Sequence, residues 1–285
     1  MYLQMHGNSG KLAFPRYALG MAVSGQGDGS VVSSQALEMM MQVSVGNPVD
    51  TVSRAEAVTR RFEAAISIGI LNYGDHLPPE ALLAEQLGVS PLTLRHGLHM
   101  LRNKGLVEIR RGRGGGSFIS GQVDLRDRDV DDRLRNAETD EVRDLYDLAA
   151  VTARGAVRLS ALRADDQDLR RLRLRNEQFF AEQSSAGLRR AAGRFHVGLG
   201  VAAQSRQLTS LLIRIQADIA PISWPSAHIA SRKKAAYEEH EAIISSIEAS
   251  DAVEAESRVT EYFTAEQLLA VERHLRLLSE ESEER

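Results

Sequence analysis

The residues of this chain best suited to chemistry lie between Leu77 and Ile119, in the stretch LPPEALLAEQLGVSPLTLRHGLHMLRNKGLVEIRRGRGGGSFI. Ser90, Thr93, Arg95 and His96 fall at the start of an amphipathic pattern, where a helix N-terminus can meet phosphates and bases. A guanidinium such as that of Arg95 pairs bidentately with guanine. Further on, Arg110, Arg111 and Arg113 surround Gly112 in a glycine-rich run, typed for phosphates or the minor groove. A lone basic triplet is ordinarily solvated surface, but inside a hairpin that follows two short helices it reads as a nucleic-acid contact.

Those side chains need elements to position them. Leu82, Leu83 and Leu87 give a first short helix an apolar face, and Leu94, Leu98 and Leu101 give one to a second. Gly88 supplies the turn between them, Ser90 caps the second helix, and Pro91 is tolerated at its first position. Lys104-Gly105 ends that helix, and LVEIRR and SFIS read as two β strands around the basic tip. Helix, turn, helix and hairpin make a winged helix-turn-helix, whose second helix enters the major groove. Before it, Arg54 to Ile68 reads as an amphipathic helix with Val58, Phe62, Ala65 and Ile66 on one face, capped by Ser53 with Glu56 three residues on.

At 285 residues and 43% hydrophobic, the chain can bury two cores. The net charge of −4 announces no nucleic-acid partner, but its distribution is uneven. Residues 54–120 carry nine Lys/Arg against six Asp/Glu, and the remainder from 121 on carries 24 against 30. With no cysteine there are no disulfides, thiolate metal sites or cysteine nucleophiles, which is compatible with a reducing cytoplasm. No apolar run is long enough to span a bilayer, so no membrane partner is expected.

The expected fold class is mainly α, a winged helix-turn-helix over 52–120 followed by an antiparallel helical bundle over 137–280. Asp140 to Leu162, Asp166 to Gln183, Leu188 to Ala203, Gln207 to Ala220, Ser231 to Ala249 and Asp251 to Leu278 each show helical apolar spacing. Ser223 to Ala230, with Trp224 and Pro225, reads as a loop. Residues 121–136, crowded with charge, read as a solvated linker. Residues 1–51 lack core-forming periodicity and read as a disordered extension. With Met39, Met40 and Met41 just before the folded part, a misassigned start is one explanation for it.

The stretch from about Val58 to Ile119 resembles the DNA-binding domain of the GntR family of bacterial transcription regulators. Gly74-Asp75, Leu77-Pro78, Glu80, Leu87-Gly88-Val89-Ser90 and Gly105-Leu106-Val107 stand in the family's order and spacing. The resemblance implies that Arg95 reaches DNA. Ala81 and Pro91 stand where the family has two further arginines, and His96 replaces a usual glutamate, which puts the usual half-site preference in doubt. The second half resembles the FCD effector-binding domain of the FadR-like branch, through Arg194-Phe195-His196 and Glu239-His240-Glu241.

That resemblance implies a metal site in the bundle, built from a carboxylate and three histidines. Here His196 and His240 stand at two positions, Ala192 at the carboxylate's and Tyr262 at the last histidine's. Half the set is missing, so no metal and no other cofactor is expected. The expected role of His196 and His240 is as hydrogen-bonded polar residues of a pocket, with the Tyr262 hydroxyl bonded to one imidazole. Tyr146 takes the place of an arginine that grips carboxylate effectors in relatives. A less charged cavity follows, suited to a more apolar effector or to none.

The expected function is a cytoplasmic transcription regulator, a repressor that binds a palindromic double-stranded DNA operator as a homodimer and answers to a small-molecule effector. An effector-insensitive regulator with a degenerate pocket is the alternative. A metal-dependent all-α enzyme is a distant third. It lacks a full ligand set, and the wing glycines lack the Lys-Ser/Thr of a phosphate loop.

Overall fold

The computed structural model describes residues 53–112, 114–121, 127–224 and 229–283. The expectations for residues 1–51 and for Arg113 lie outside the described residues. Helix α1 (Arg54–Ser67) opens with the capping box foreseen between Ser53 and Glu56. Val58, Phe62, Ala65 and Ile66 are buried, against α3 (Pro91–Asn103). The two helices touch closely at Gly97, where an added Cβ would lie 2.8 Å from Val58 Cγ1 and 3.1 Å from the Ala55 carbonyl. Thr59 Oγ1 also donates to the Gly97 carbonyl there.

Helix α2 (Glu80–Leu87) ends at Gly88, which sits at φ 64° as a left-handed cap. Its core face is Leu83, Ala84 and Leu87, and Leu82 is exposed. The expected face was wrong by one residue, since Leu82 lies about 100° around the helix from Leu83. On α3, Leu94, Leu98 and Leu101 are buried as expected, and Ser90 caps the Thr93 amide. The wing pairs β1 (Val107–Arg110) with β2 (Gly116–Ile119) antiparallel, from Val107 opposite Ile119 to Arg110 opposite Gly116.

The charged stretch after the wing is not all linker: Asp127–Asn136 forms helix α4. Val130 and Leu134, one turn apart, are fully buried against α10 (Ala252–Glu283). Arg273 of α10 pairs with Asp131 at 2.7 Å, and His274 Nδ1 donates to the Leu134 carbonyl at 2.7 Å. Beside these two apolar residues, Asp131 finds a cation across the contact, while Arg135 pairs with Asp132 within the helix.

The remaining helices match the sequence expectation: α5 (Thr139–Arg163), α6 (Asp166–Ala181), α7 (Ser185–Ala202), α8 (Arg206–Ile219) and α9 (Ile229–Glu248). Helices α5 and α10 lie antiparallel, with Thr139 bonded to His274 at one end and Arg158 to Glu256 at the other. Helix α7 is buried almost all round, the pattern of a helix at the centre of a bundle. Ile68 and Gly69, at the end of α1, pack on α7 at Arg190, Gly193 and Arg194, so the winged domain is seated on the bundle.

Docking of α4 rests on its two apolar residues. Leu134→Ala should therefore lower stability by about 2–4 kcal/mol in urea unfolding. Arg135→Ala, on the same helix but in a half-exposed pair with Asp132, should change it by less than about 0.5 kcal/mol.

Candidate DNA-binding face and effector pocket

The outer side of α3 carries Leu92, Arg95, His96 and His99, all exposed. Ser90 and Thr93 share a hydroxyl hydrogen bond of 2.8 Å at its N-terminus. Arg95 Nε lies 2.7 Å from Glu80 of α2, an exposed pair that points the guanidinium without fixing it. Leu92 and His99 escaped the sequence reading, and Glu80 entered it as a motif position and not as the partner of Arg95. The spacing of Leu92, Arg95 and His99 along one helix face was the signal available.

The wing arginines are not alike. Arg110 pairs with Glu108 at 2.7 Å and lies over the Phe118 ring, 4.3 Å from its centroid. His76 stacks on the same ring at 4.5 Å. Arg110 thus braces the hairpin as well as adding charge. Arg111 is exposed, and Gly112, at φ 100°, makes the turn at the tip.

The pocket draws on four helices. Helix α7 supplies Ala192 and His196, α9 Arg232 and His240, α10 Tyr262 and Glu266, and α5 Tyr146, all buried. The imidazoles lie 5.5 Å apart, each 4.9 Å from the Tyr262 ring, and Phe195 stacks on His240 at 3.8 Å. The structure thus gathers the five residues expected of the pocket in one region.

Their hydrogen bonding departs from expectation. The Asn176 amide nitrogen donates to the Tyr237 carbonyl and to Glu241, so its oxygen faces His240 Nδ1 at 2.9 Å, and that nitrogen carries the proton. His196 Nδ1 faces Gln216 Oε1 at 3.3 Å. Both Nε2 atoms are buried without a partner. The Tyr262 hydroxyl therefore bonds neither imidazole; the amides of Asn176 and Gln216 take the bonded nitrogens and the phenol ring packs alongside. A buried acceptor left unpaired costs about 1–3 kcal/mol.

Nor is the pocket weakly charged. Arg232 Nε donates to Glu266 at 2.8 Å and Nη2 to Glu239 at 2.7 Å. Its guanidinium lies 5.3 Å from the Tyr262 ring centroid. Tyr146, Ile222, Trp224, Arg232, Glu266 and Leu269 line a cavity of about 10 Å³, space for a single water. Arg232, Glu239, Glu266, Asn176 and Gln216 were missed because only the packing of helices distant in sequence brings them here.

Burial sets the protonation states. It lowers the His196 pKa to about 4, against some support from Gln216. It takes His240 well below its ordinary value, helped by the charges of His196 and Arg232. It raises the Tyr262 and Tyr146 phenols well above theirs. It lifts Glu266 to about 7, although Arg232 opposes the shift. A metal shell does not fit these residues. Two imidazoles offer lone pairs, Ala192 offers none, and the Tyr262 phenol keeps its proton. Among the described residues no three His, Cys, Asp or Glu gather to hold an ion.

A winged helix-turn-helix seated on an all-helical domain with a polar buried pocket defines an effector-domain transcription regulator. The model of the bacterial regulatory proteins of the gntR family matches residues 54–116, and the FCD domain model matches residues 144–265. The protein named HTH-type transcriptional regulator RmpR, of Mycobacterium gastri, is 34% identical over 183 residues, 64% of this chain and 67% of that one. The Glc operon transcriptional activator of Escherichia coli is 33% identical over 106 residues, 37% of this chain and 41% of that one. Among solved structures, E. coli McbR/YncC is 19% identical with a TM-score of 0.44, covering 79% of this chain and 100% of that one.

The chain belongs to the GntR family and carries an FCD domain; it is a transcriptional regulator and not an enzyme. GntR regulators bind DNA, and FCD domains bind small-molecule effectors. Among the described residues no helix is long and apolar enough to cross a membrane.

The two imidazoles give a pH dependence. In the unfolded chain a histidine takes a proton near pH 6.5, but the buried rings refuse it down to about pH 4 for His196. Their contribution is full above pH 6.5 and is lost as pH falls through that window. Glu266 acts oppositely between pH 4.5 and about 7, but offsets only one of the two protons. Urea midpoints should fall from pH 7 to pH 5, and the His196→Phe, His240→Phe double variant should lose most of that fall.

Proposed function

We propose that this regulator is a cytoplasmic, effector-responsive repressor that binds a palindromic operator as a homodimer. The observation that carries the reading is the shared helix α7. It holds His196 on the pocket side, and one turn earlier Gly193 accepts Ile68 of the winged domain. An added Cβ at Gly193 would lie 3.2 Å from Ile68 Cγ2 and 3.7 Å from Cβ of Gln216, the residue bonded to His196. A ligand that shifts α7 or Gln216 would move the seat of the DNA-binding domain, which is coupling between distinct sites. A homodimer would set two winged domains over the paired half-sites of such an operator. On α5, Leu148, Val151 and Leu162 lie exposed along one side, with open space at Gly155, a surface suited to a second copy.

The small cavity favours the second reading, a regulator with a closed pocket that no longer answers to an effector. Footprinting of the purified protein on genomic DNA, with and without small molecules suggested by the neighbouring genes, separates the two readings.

The DNA contacts are tested by substitution. Arg95→Ala should cost about 1–3 kcal/mol of operator binding and relax discrimination at one position of each half-site. Replacing Arg111 and Arg113 with Ala should weaken binding to all sequences and flatten its salt dependence. Wild-type salt dependence in that double variant would remove the wing from the interface.

The coupling has its own test. Gly193→Leu fills the seat of Ile68, so the winged domain should melt separately from the bundle. Calorimetry should then show two transitions in place of one, with operator binding retained.

A further inference from the structure

The unpartnered nitrogens of the pocket point to a ligand chemistry. His196 is 2% exposed and His240 is fully buried, and neither Nε2 atom has a hydrogen-bond partner. The Asn176 amide fixes His240 Nδ1 as the donor and its Nε2 as a lone pair. With Gln216 Oε1 set against His196 Nδ1 the same holds for His196, and the Gln216 Nε2 beside it is a buried donor without a partner. Whatever meets this pair must bring protons of its own.

Three familiar classes fit badly. A carboxylate would set lone pairs against lone pairs, and the nearby cation, Arg232, is already held between Glu266 and Glu239. A metal would find two ligands where a closed shell needs about four. An ammonium group would meet the field of Arg232, whose charge already bears on His240 and whose guanidinium lies 5.3 Å from the centroid of the Tyr262 ring that packs on both imidazoles. Uncharged hydroxyl groups donate without these penalties. Phe195, Tyr262, Trp224 and Tyr146 supply aromatic faces of the kind that pack against the C–H faces of a sugar.

We propose that His196 and His240 are paired hydrogen-bond acceptors for an uncharged polyhydroxyl compound, a sugar or sugar alcohol, bound without a metal. The proposal rests on the reading of this pocket as an effector site. Neither imidazole lines the cavity beside Arg232, and Tyr262 packs on both imidazoles and near Arg232, so a ligand reaches the two nitrogens only as these side chains move.

Trp224, the single tryptophan of the chain, lines that cavity and reports on it. The full-length protein, dialysed against EDTA, is titrated with millimolar ribose, glucose and xylitol while Trp224 fluorescence and melting temperature are followed. Parallel titrations use glycolate, putrescine and, without EDTA, zinc and manganese ions. At least one of the three polyols should raise the melting temperature by several degrees with a saturable fluorescence change. The response should weaken about tenfold or more in His196→Phe and in His240→Phe. Each variant also loses its Nδ1 bond to Gln216 or Asn176, so its own melting temperature should fall, and the ligand response is read as the shift within each variant.

Should the variants not fold, the wild-type titrations decide. A response to glycolate, putrescine or a metal in place of the polyols overturns the proposal, and so does silence from all three polyols. Operator binding on the same samples separates the two failures. Glycolate that releases the operator leaves the effector reading standing and removes the polyol. If no compound changes either melting or operator binding, both fall.

Discussion

A helix with few large side chains holds this molecule together. Along α7, Gly193, Gly198 and Gly200 stand where neighbouring elements approach closely: tightly but yieldingly at Gly193, against a movable side-chain end at Gly198, and against backbone at Gly200. At Gly200 an added Cβ would lie 2.8 Å from the Thr209 Cα, a backbone atom that cannot turn aside. At Gly198 it would lie 2.5 Å from the Arg175 guanidinium. Close approach lets α6, α8 and the end of α1 pack on one axis and gain dispersion contacts along its length. The arrangement has a functional consequence. Pocket and DNA-binding domain meet the same stretch of α7, at His196 and at Gly193 one turn earlier, with Gln216 touching both, so a shift at one is felt at the other.

Most of the winged domain was legible because its signals are local. A capping serine, a proline at the first helical position, a left-handed glycine and a four-residue apolar repeat each act over a single turn. Helix α4 was hidden by its composition. Eight polar residues in DRDVDDRLRN outvote Val130 and Leu134 in any count of charge, yet those two lie one turn apart and face the same way. The pocket was half legible. His196, His240 and Tyr262 come together as the resemblance to the FCD domain implied, one from each of α7, α9 and α10. The Arg232–Glu266 pair could not be read, since residues 34 positions apart meet only through the crossing of two helices.

Electrostatics differ sharply between the two sites. The ion pairs of the DNA face are exposed: the Arg95 side chain retains 65% of its accessibility, and that of Glu80 38%. Such pairs are worth little and are screened by salt, so phosphate or a base edge can take the guanidinium from its carboxylate. Within the bundle, Arg232 and Glu266 are 9% and 8% exposed. Removing either partner strands the other in a poor solvent. The first pair orients an arginine for exchange, and the second keeps its partners in place.

This contrast bears on how the two sites communicate. The Debye length at physiological salt is about 8 Å, so the field of a paired charge cluster is largely spent before it reaches a distant, solvated surface. Packing does not decay in that way. Ile68 rests in the notch at Gly193, Gln216 touches the same notch and holds His196, and close-packed interiors transmit small displacements. The route open to an effector is therefore steric. A ligand that reorders the imidazole and its amide changes the shape of the seat on which the winged domain rests, and with it the separation of two such domains over paired half-sites.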